Sequence, residues 1–196
     1  MRRPSKRLAF AVAVLAGAGS VLAAPVFEAA RKSAASAPTA SVSVTAANTE
    51  MHVLVPGILV ASQINSSDLS AARERGVKAV IGMRPDGEEI GQPTASILGD
   101  AARMQNLRFA YVPVPHGEMP DTVVDELTAA LSASGEGPIL LYCRSGRRAA
   151  RAWALAEASR TGGLSPEEIE SAVRRVGQPI DDLADRIRTR ITARRS

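Results

Sequence analysis

The fold is decided by ILLYCRSGRRAARAWALA, residues 139–156. Pro138 to Tyr142 is an unbroken apolar run, bounded upstream by Gly135 and Gly137. Without polar alternation, it reads as a central parallel strand covered on both faces. From Arg147 the chain is rich in alanine and has the composition of a helix. Between strand and helix lie Cys143, Arg144, Ser145 and Gly146.

Cysteine at this junction has a chemical use. A thiol attacks only as the thiolate, and the main-chain N–H groups and dipole of a helix N-terminus favour that form. Arg144, Arg147 and Arg148 add positive charge, Ser145 adds a hydroxyl, and Gly146 lets the main-chain amides fold inward around an anion. Arg148 is the residue expected on a bound oxyanion, because its planar fork donates two hydrogen bonds at once. Arg147 reads equally well as a solvated side chain. The competing reading of Cys143 as a small buried hydrophobe fits poorly with the Arg-Ser-Gly-Arg-Arg that follows it.

Outward from this stretch, strands and helices alternate. Ile58 to Ala61 reads as a strand, followed by a helix from a Ser67 cap to Arg75 and a strand from Val77 to Met83. Arg84-Pro85-Asp86-Gly87 signals a turn, and Ser96 to Asn106 has helical spacing. Phe109 to Val114 is the next strand. The proline-rich loop after it ends where Asp121 caps a helix from Thr122 to Ser132. Two helices close the chain, one opened by Ser165-Pro166-Glu167-Glu168 and one over about Asp182 to Thr192. The expected fold class is α/β, a mainly parallel sheet flanked by helices. Ligands of such sheets sit beyond the carboxyl ends of the strands, where Cys143 lies.

The chain has 196 residues, 45% of them hydrophobic and 22% charged, an ordinary composition for one globular domain. Aromatic residues make up only 3%, too few for a base-stacking platform, so nucleic acid is not an expected partner. The net charge of +4 comes partly from basic clusters at the two ends. Cys143 is the only cysteine, which excludes an intrachain disulfide, and the two histidines, His52 and His116, form no metal-ligand pattern. No metal and no cofactor are expected.

The first residues read as an address. Met1 to Arg7 is basic, Leu8 to Ala24 is apolar and uncharged, and small residues precede a cleavage point after Ala23. The expected organisation is a signal peptide over 1–23, a flexible Ala/Ser/Thr-rich tether over 24–50 and the α/β domain over 51–196. A short helix from Val26 to Ala35 is the alternative for part of the tether. The implied location is periplasmic or otherwise extracytoplasmic, with membrane contact only if the signal is retained as an anchor.

Four segments carry a resemblance: SQI at Ser62, MRPDGEE at Met83, VPVP at Val112 and YCRSGRRA at Tyr142. Over about Val53 to Gly177 the chain resembles the beta-lactamase-hydrolase-like, protein-phosphatase-like domain family. The resemblance implies a dual-specificity-phosphatase-like fold, with Cys143 as nucleophile and Arg148 on the phosphate. Phosphatases of this fold usually carry an aspartate as general acid on the loop after the preceding strand. His116 stands in roughly that place here, with Glu118 and Asp121 on the same loop. Asp86 and Glu88 are further rim candidates, or only turn residues.

In one respect the chain departs from the tyrosine phosphatases. Only Arg144, Ser145, Gly146 and Arg147 separate Cys143 from Arg148, one residue fewer than in those enzymes. This spacing, and the string YCRSG, is also similar to rhodanese sulfurtransferases, which carry a persulfide on the cysteine. Two chemistries therefore remain open: an exported hydrolase acting through a cysteinyl-phosphate, and a sulfurtransferase acting through a Cys143 persulfide. The substrate is accordingly a phosphorylated or sulfane-sulfur compound, small molecule or protein. A module that binds an anion without turnover is a third reading.

Overall fold

The computed structural model describes residues 49–195. The expected signal and nearly all of the expected tether lie outside the described residues. Thr49, assigned from sequence to the tether, is already fixed to the domain. Its amide and hydroxyl donate to the two carboxylate oxygens of Asp68 at 2.8 and 3.0 Å. Asp68 is fully buried, and the Asn65 amide, also donating at 2.8 Å, helps satisfy it.

Five strands form one sheet: β1 (Met51–Val55), β2 (Ile58–Ala61), β3 (Ala79–Gly82), β4 (Arg108–Tyr111) and β5 (Ile139–Tyr142). Their order is β1-β2-β5-β3-β4, parallel throughout except for the antiparallel β1–β2 hairpin. The mainly parallel α/β fold expected from sequence is the one observed. β1 was not expected as a strand. Its Met-His-Val-Leu-Val has only a ragged in-out pattern, because it forms an edge and its pairing with β2 is irregular between Val53 and Val55.

β3 and β5 are buried at every residue, which explains their continuous apolar runs. Their side chains still alternate between two cores. Ile81 and Leu141 face one core, while Val80 and Leu140 face the other. The helices α1 (Asp68–Glu74) and α2 (Ala95–Met104) cover the second face. The first is covered by α3 (Asp121–Ala133), α4 (Arg147–Ser159), α5 (Pro166–Arg175) and α6 (Ala184–Ala193). α4 packs against α3, α5 and α6, and its alanines are short enough to allow close approach on several sides around the buried Trp153.

Helix ends differ from the sequence reading where a neighbouring group competes for the amides. Ser67 stands at the start of α1 but makes no capping bond; Asn65 Oδ1 takes the Ser67 and Asp68 amides instead. α2 starts at Ala95 with Thr94 as its cap. Asp121 is the first residue of α3, not its cap; Pro120 holds the cap position, and the Asp121 carboxylate turns to Arg186 and Arg190 at 2.5 and 2.7 Å. α5 opens with the expected Ser165 and Pro166, and Ser165 and Glu168 close a reciprocal capping box. The last expected helix is split into a 3₁₀ turn over Asp181–Leu183 and α6. No helix among the described residues is long and apolar enough to cross a membrane.

Candidate active site

β2, β5 and β3 end at one level, with Ala61 beside Tyr142 and Tyr142 beside Gly82. The loops leaving these parallel strands are therefore neighbours, and the loop after β5 lies between the other two. Its walls are stitched by main-chain bonds: Cys143 N–H to Ala61 O at 3.4 Å, Gln63 N–H to Arg144 O at 3.3 Å and Met83 N–H to Tyr142 O at 2.8 Å. Gln178 Nε2 donates to Ser145 O at 3.2 Å from the far side. Gly146 then turns the chain into α4 at φ +82°, a conformation that costs any residue with a Cβ about 1–2 kcal/mol. Gly82 is required for a different reason. A Cβ there would lie 2.6 Å from the hydroxyl of Tyr142, whose buried phenol is held well above its ordinary pKa by desolvation.

The N–H groups of residues 144–149 donate to no acceptor among the described residues. They wrap the end of β5 and the first turn of α4, where orphan amides and the helix dipole favour an anion. Cys143 opens this cradle and is only 1% exposed. Arg148 stands near enough to feel the charge of the Cys143 sulfur, but its guanidinium hydrogen bonds go to Glu88 and Val114.

Arg148 is held from two sides. Nη1 donates to Val114 O at 2.8 Å, and Nη1 and Nη2 grip Glu88 Oε1 and Oε2 at 2.5 and 2.7 Å. The Arg148 pKa is raised above its usual value, first by the Glu88 hydrogen bonds and further by the Cys143 sulfur, against the opposing effect of burial. Glu88 is pulled down from the usual 4.5 to about 2, chiefly by Arg148, with burial opposing and Arg84 contributing. Arg84, only 4% exposed, donates to Glu88 at 3.0 Å, Gln63 at 3.0 Å and Glu89 at 2.8 Å. The loop after β3 thus acts as a splint: Arg84 fixes Glu88, and Glu88 fixes Arg148.

A cleft of about 880 Å³ opens over the cradle. Arg144, Ser145, Arg147 and Arg148 line it, together with His116 and Glu118, both exposed, and Arg151, Asp182 and Arg186. None of the three rim candidates Asp86, Glu88 and Asp121 lines it, and neither do Cys143, which is buried, and Gly146. Asp86 accepts the Ala95 amide at 2.8 Å while its own N–H donates to the Tyr111 hydroxyl, so it serves the turn into α2. Asp121 reaches the cleft only indirectly, through Arg186. Sequence reasoning missed Arg84, Arg151, Asp182 and Arg186. Arg151 had a signal, standing four residues after Arg147 on the same helix face. Asp182 and Arg186 arrive from the last helical segment and had none.

An α/β domain with a parallel sheet, a strand–loop–helix anion cradle and an arginine at the cysteine defines a phosphatase-like fold. The chain belongs to the family of the phosphatase-like domain of beta-lactamase hydrolase-like proteins, whose model matches residues 50–160. Beta-lactamase hydrolase-like proteins of Xylella fastidiosa and Agrobacterium fabrum are 32% and 30% identical to it over 114 and 113 residues. These matches cover 58% of this chain and 26% of each relative, so the match spans about a quarter of the length of those relatives.

Solved structures share the fold. A candidate phosphatase of Neisseria meningitidis superposes with a TM-score of 0.59 at 24% identity, covering 70% of this chain and 96% of that one. One of Shewanella putrefaciens gives 0.58 at 17%, covering 73% and 91%. Pseudomonas aeruginosa TpbA, solved with phosphotyrosine, gives 0.52 at 17%, covering 78% and 99%.

Proposed function

We propose that the domain is a cysteine-dependent phosphatase. The observation that carries this reading is the run of amides at 144–149, unpartnered among the described residues, that follows Cys143 into the first turn of α4. A phosphoryl group seated there would have its oxygens on the amides and its phosphorus before the sulfur. The Cys143 thiolate attacks, forming the S–P bond as the P–O bond to the leaving group breaks. The departing oxygen takes the electron pair and a proton, for which His116 and Glu118, which line the same cleft, are the available donors. Water then attacks phosphorus, the S–P electrons return to sulfur, and orthophosphate leaves. Under this reading the residues before the domain export it, with cleavage after Ala23.

The test is hydrolysis of an aryl phosphate by the purified chain from Ala24 onward. Activity lost in Cys143→Ser, with the circular dichroism spectrum unchanged, supports the reading; activity retained there refutes it. One observation favours a second reading: the spacing of four residues from Cys143 to Arg148 is that of a sulfurtransferase loop. In that reaction Cys143 takes a sulfane sulfur as a persulfide and passes it to a thiol. Thiosulfate with cyanide is the corresponding assay.

A further inference from the structure

The cleft contains more positive charge than one phosphoryl group needs. Arg144, Arg147, Arg148, Arg151 and Arg186 all line it, against only Glu118 and Asp182 among its acidic residues. Some of this charge is neutralised locally. Arg148 is paired with Glu88, Arg151 with Asp182 at 2.8 and 2.6 Å, and Arg186 with Asp121 at 2.5 Å. Arg144 and Arg147 are exposed and make no ion pair or hydrogen bond through their side chains among the described residues.

Arg147 is the informative one. It stands four residues before Arg151 on α4, so the two guanidinium groups share a helix face, an arrangement of like charges that destabilises a helix when nothing lies between them. The carboxylate nearby, Asp182, is gripped by both Arg151 nitrogens, and Arg147 acts on it only at longer range, helping to hold its pKa below the usual value behind the dominant Arg151 hydrogen bond. Arg151 is 14% exposed, whereas Asp182 is 62% exposed, so the pair forms a fixed but open edge of the cleft. Arg186 faces the same space from α6. Beside the amides at 144–149, Arg147, Arg151 and Arg186 thus form an arginine wall of the cleft, and the Arg147 side chain makes no hydrogen bond or ion pair among the described residues.

From this wall we infer a second anion subsite, formed by Arg147, Arg151 and Arg186, and a substrate class to match it: small molecules carrying a second phosphate or carboxylate besides the group held over Cys143. This rests on the proposed cradle as the first subsite. The cleft volume of about 880 Å³ lies within the range of small-molecule sites and far exceeds one phosphate. A second anion on Arg147 would offset the like charges of Arg147 and Arg151, four residues apart on α4, and orient the substrate across the cleft.

The test uses binding, which needs no turnover. Methylphosphonate and a series of alkane bisphosphonates with spacers of increasing length are titrated into the full chain by calorimetry at fixed ionic strength. At one or more spacer lengths the bisphosphonate should bind roughly tenfold more tightly than methylphosphonate, the gain typical of a charge-assisted contact. In Arg147→Gln and in Arg186→Gln the ratio of the two affinities, measured within each variant, should fall to about the twofold expected from two equivalent ends. A wild-type ratio of twofold or less at every spacer overturns the second subsite while leaving the cradle standing. Binding of neither ligand overturns the cradle, and the subsite with it. A ratio unchanged in both variants moves the second anion off this wall and refutes the assignment.

Discussion

Replacing Glu88 by glutamine tests whether the loop after β3 acts as a splint. Glutamine keeps the shape but removes the charge that Arg84 and Arg148 share, leaving two guanidinium groups, 4% and 13% exposed, around a neutral amide. For a fully enclosed carboxylate, a pKa drawn down from 4.5 to about 2 corresponds to roughly 3 kcal/mol of stability. The Glu88 side chain is 18% exposed on an open loop, so solvent screening reduces this to about 1–2 kcal/mol. Because the folded-state pKa is depressed, the contribution is complete above the unfolded value of 4.5 and is lost as pH falls toward 2. Urea titrations of wild type and Glu88→Gln at pH 7 should differ by about 1–2 kcal/mol, with the wild type more stable. By pH 3 roughly half of that difference should be gone. A difference that stays constant from pH 7 to pH 3, or no difference at all, would refute the splint.

Three other substitutions probe the cradle and its support. Arg148→Lys keeps the charge but loses the fork, and kcat/KM for an aryl phosphate should fall on the order of a hundredfold. Near-wild-type activity in that variant would place the anion elsewhere. Gly146→Ala meets only ordinary contacts at 3.5 Å, so its cost is conformational, about 1–2 kcal/mol in thermal or urea unfolding; an unchanged stability would contradict the positive φ. Gly82→Ala should cost about 1–3 kcal/mol through the clash with Tyr142, and Tyr142→Phe in the same chain should recover part of it by removing the hydroxyl. Failure of that recovery would locate the strain elsewhere.

The elements legible in sequence were those whose burial pattern is extreme. β5 and β3, buried at every residue, gave unbroken apolar runs, and α5 announced itself by its capping box. β1 was illegible because an irregular edge hairpin imposes no clean period. Asp121 looked like a cap because its residue type suits one, and only the tertiary placement of Arg186 and Arg190 draws its side chain away. The cradle could be read locally, since Cys143 through Arg148 are contiguous. The splint could be read only in part: Arg84 and Glu88 share a turn motif, but their engagement with Arg148, 60 residues on, depends on β3 lying beside β5. The arginine wall depends on α6 docking against α4, a contact that no local pattern encodes.

The two candidate reactions differ in what becomes attached to the sulfur of Cys143. A phosphatase intermediate adds a phosphoryl group to it, whereas a sulfurtransferase intermediate adds one sulfur atom. The decisive measurement is intact-protein mass spectrometry after rapid acid quench of the chain with an aryl phosphate and, separately, with thiosulfate. A cysteine-dependent phosphatase gives a phosphoryl adduct from the aryl phosphate, absent in Cys143→Ser. A stable persulfide from thiosulfate, with cyanide-dependent turnover and no aryl phosphate hydrolysis, would contradict the phosphatase reading.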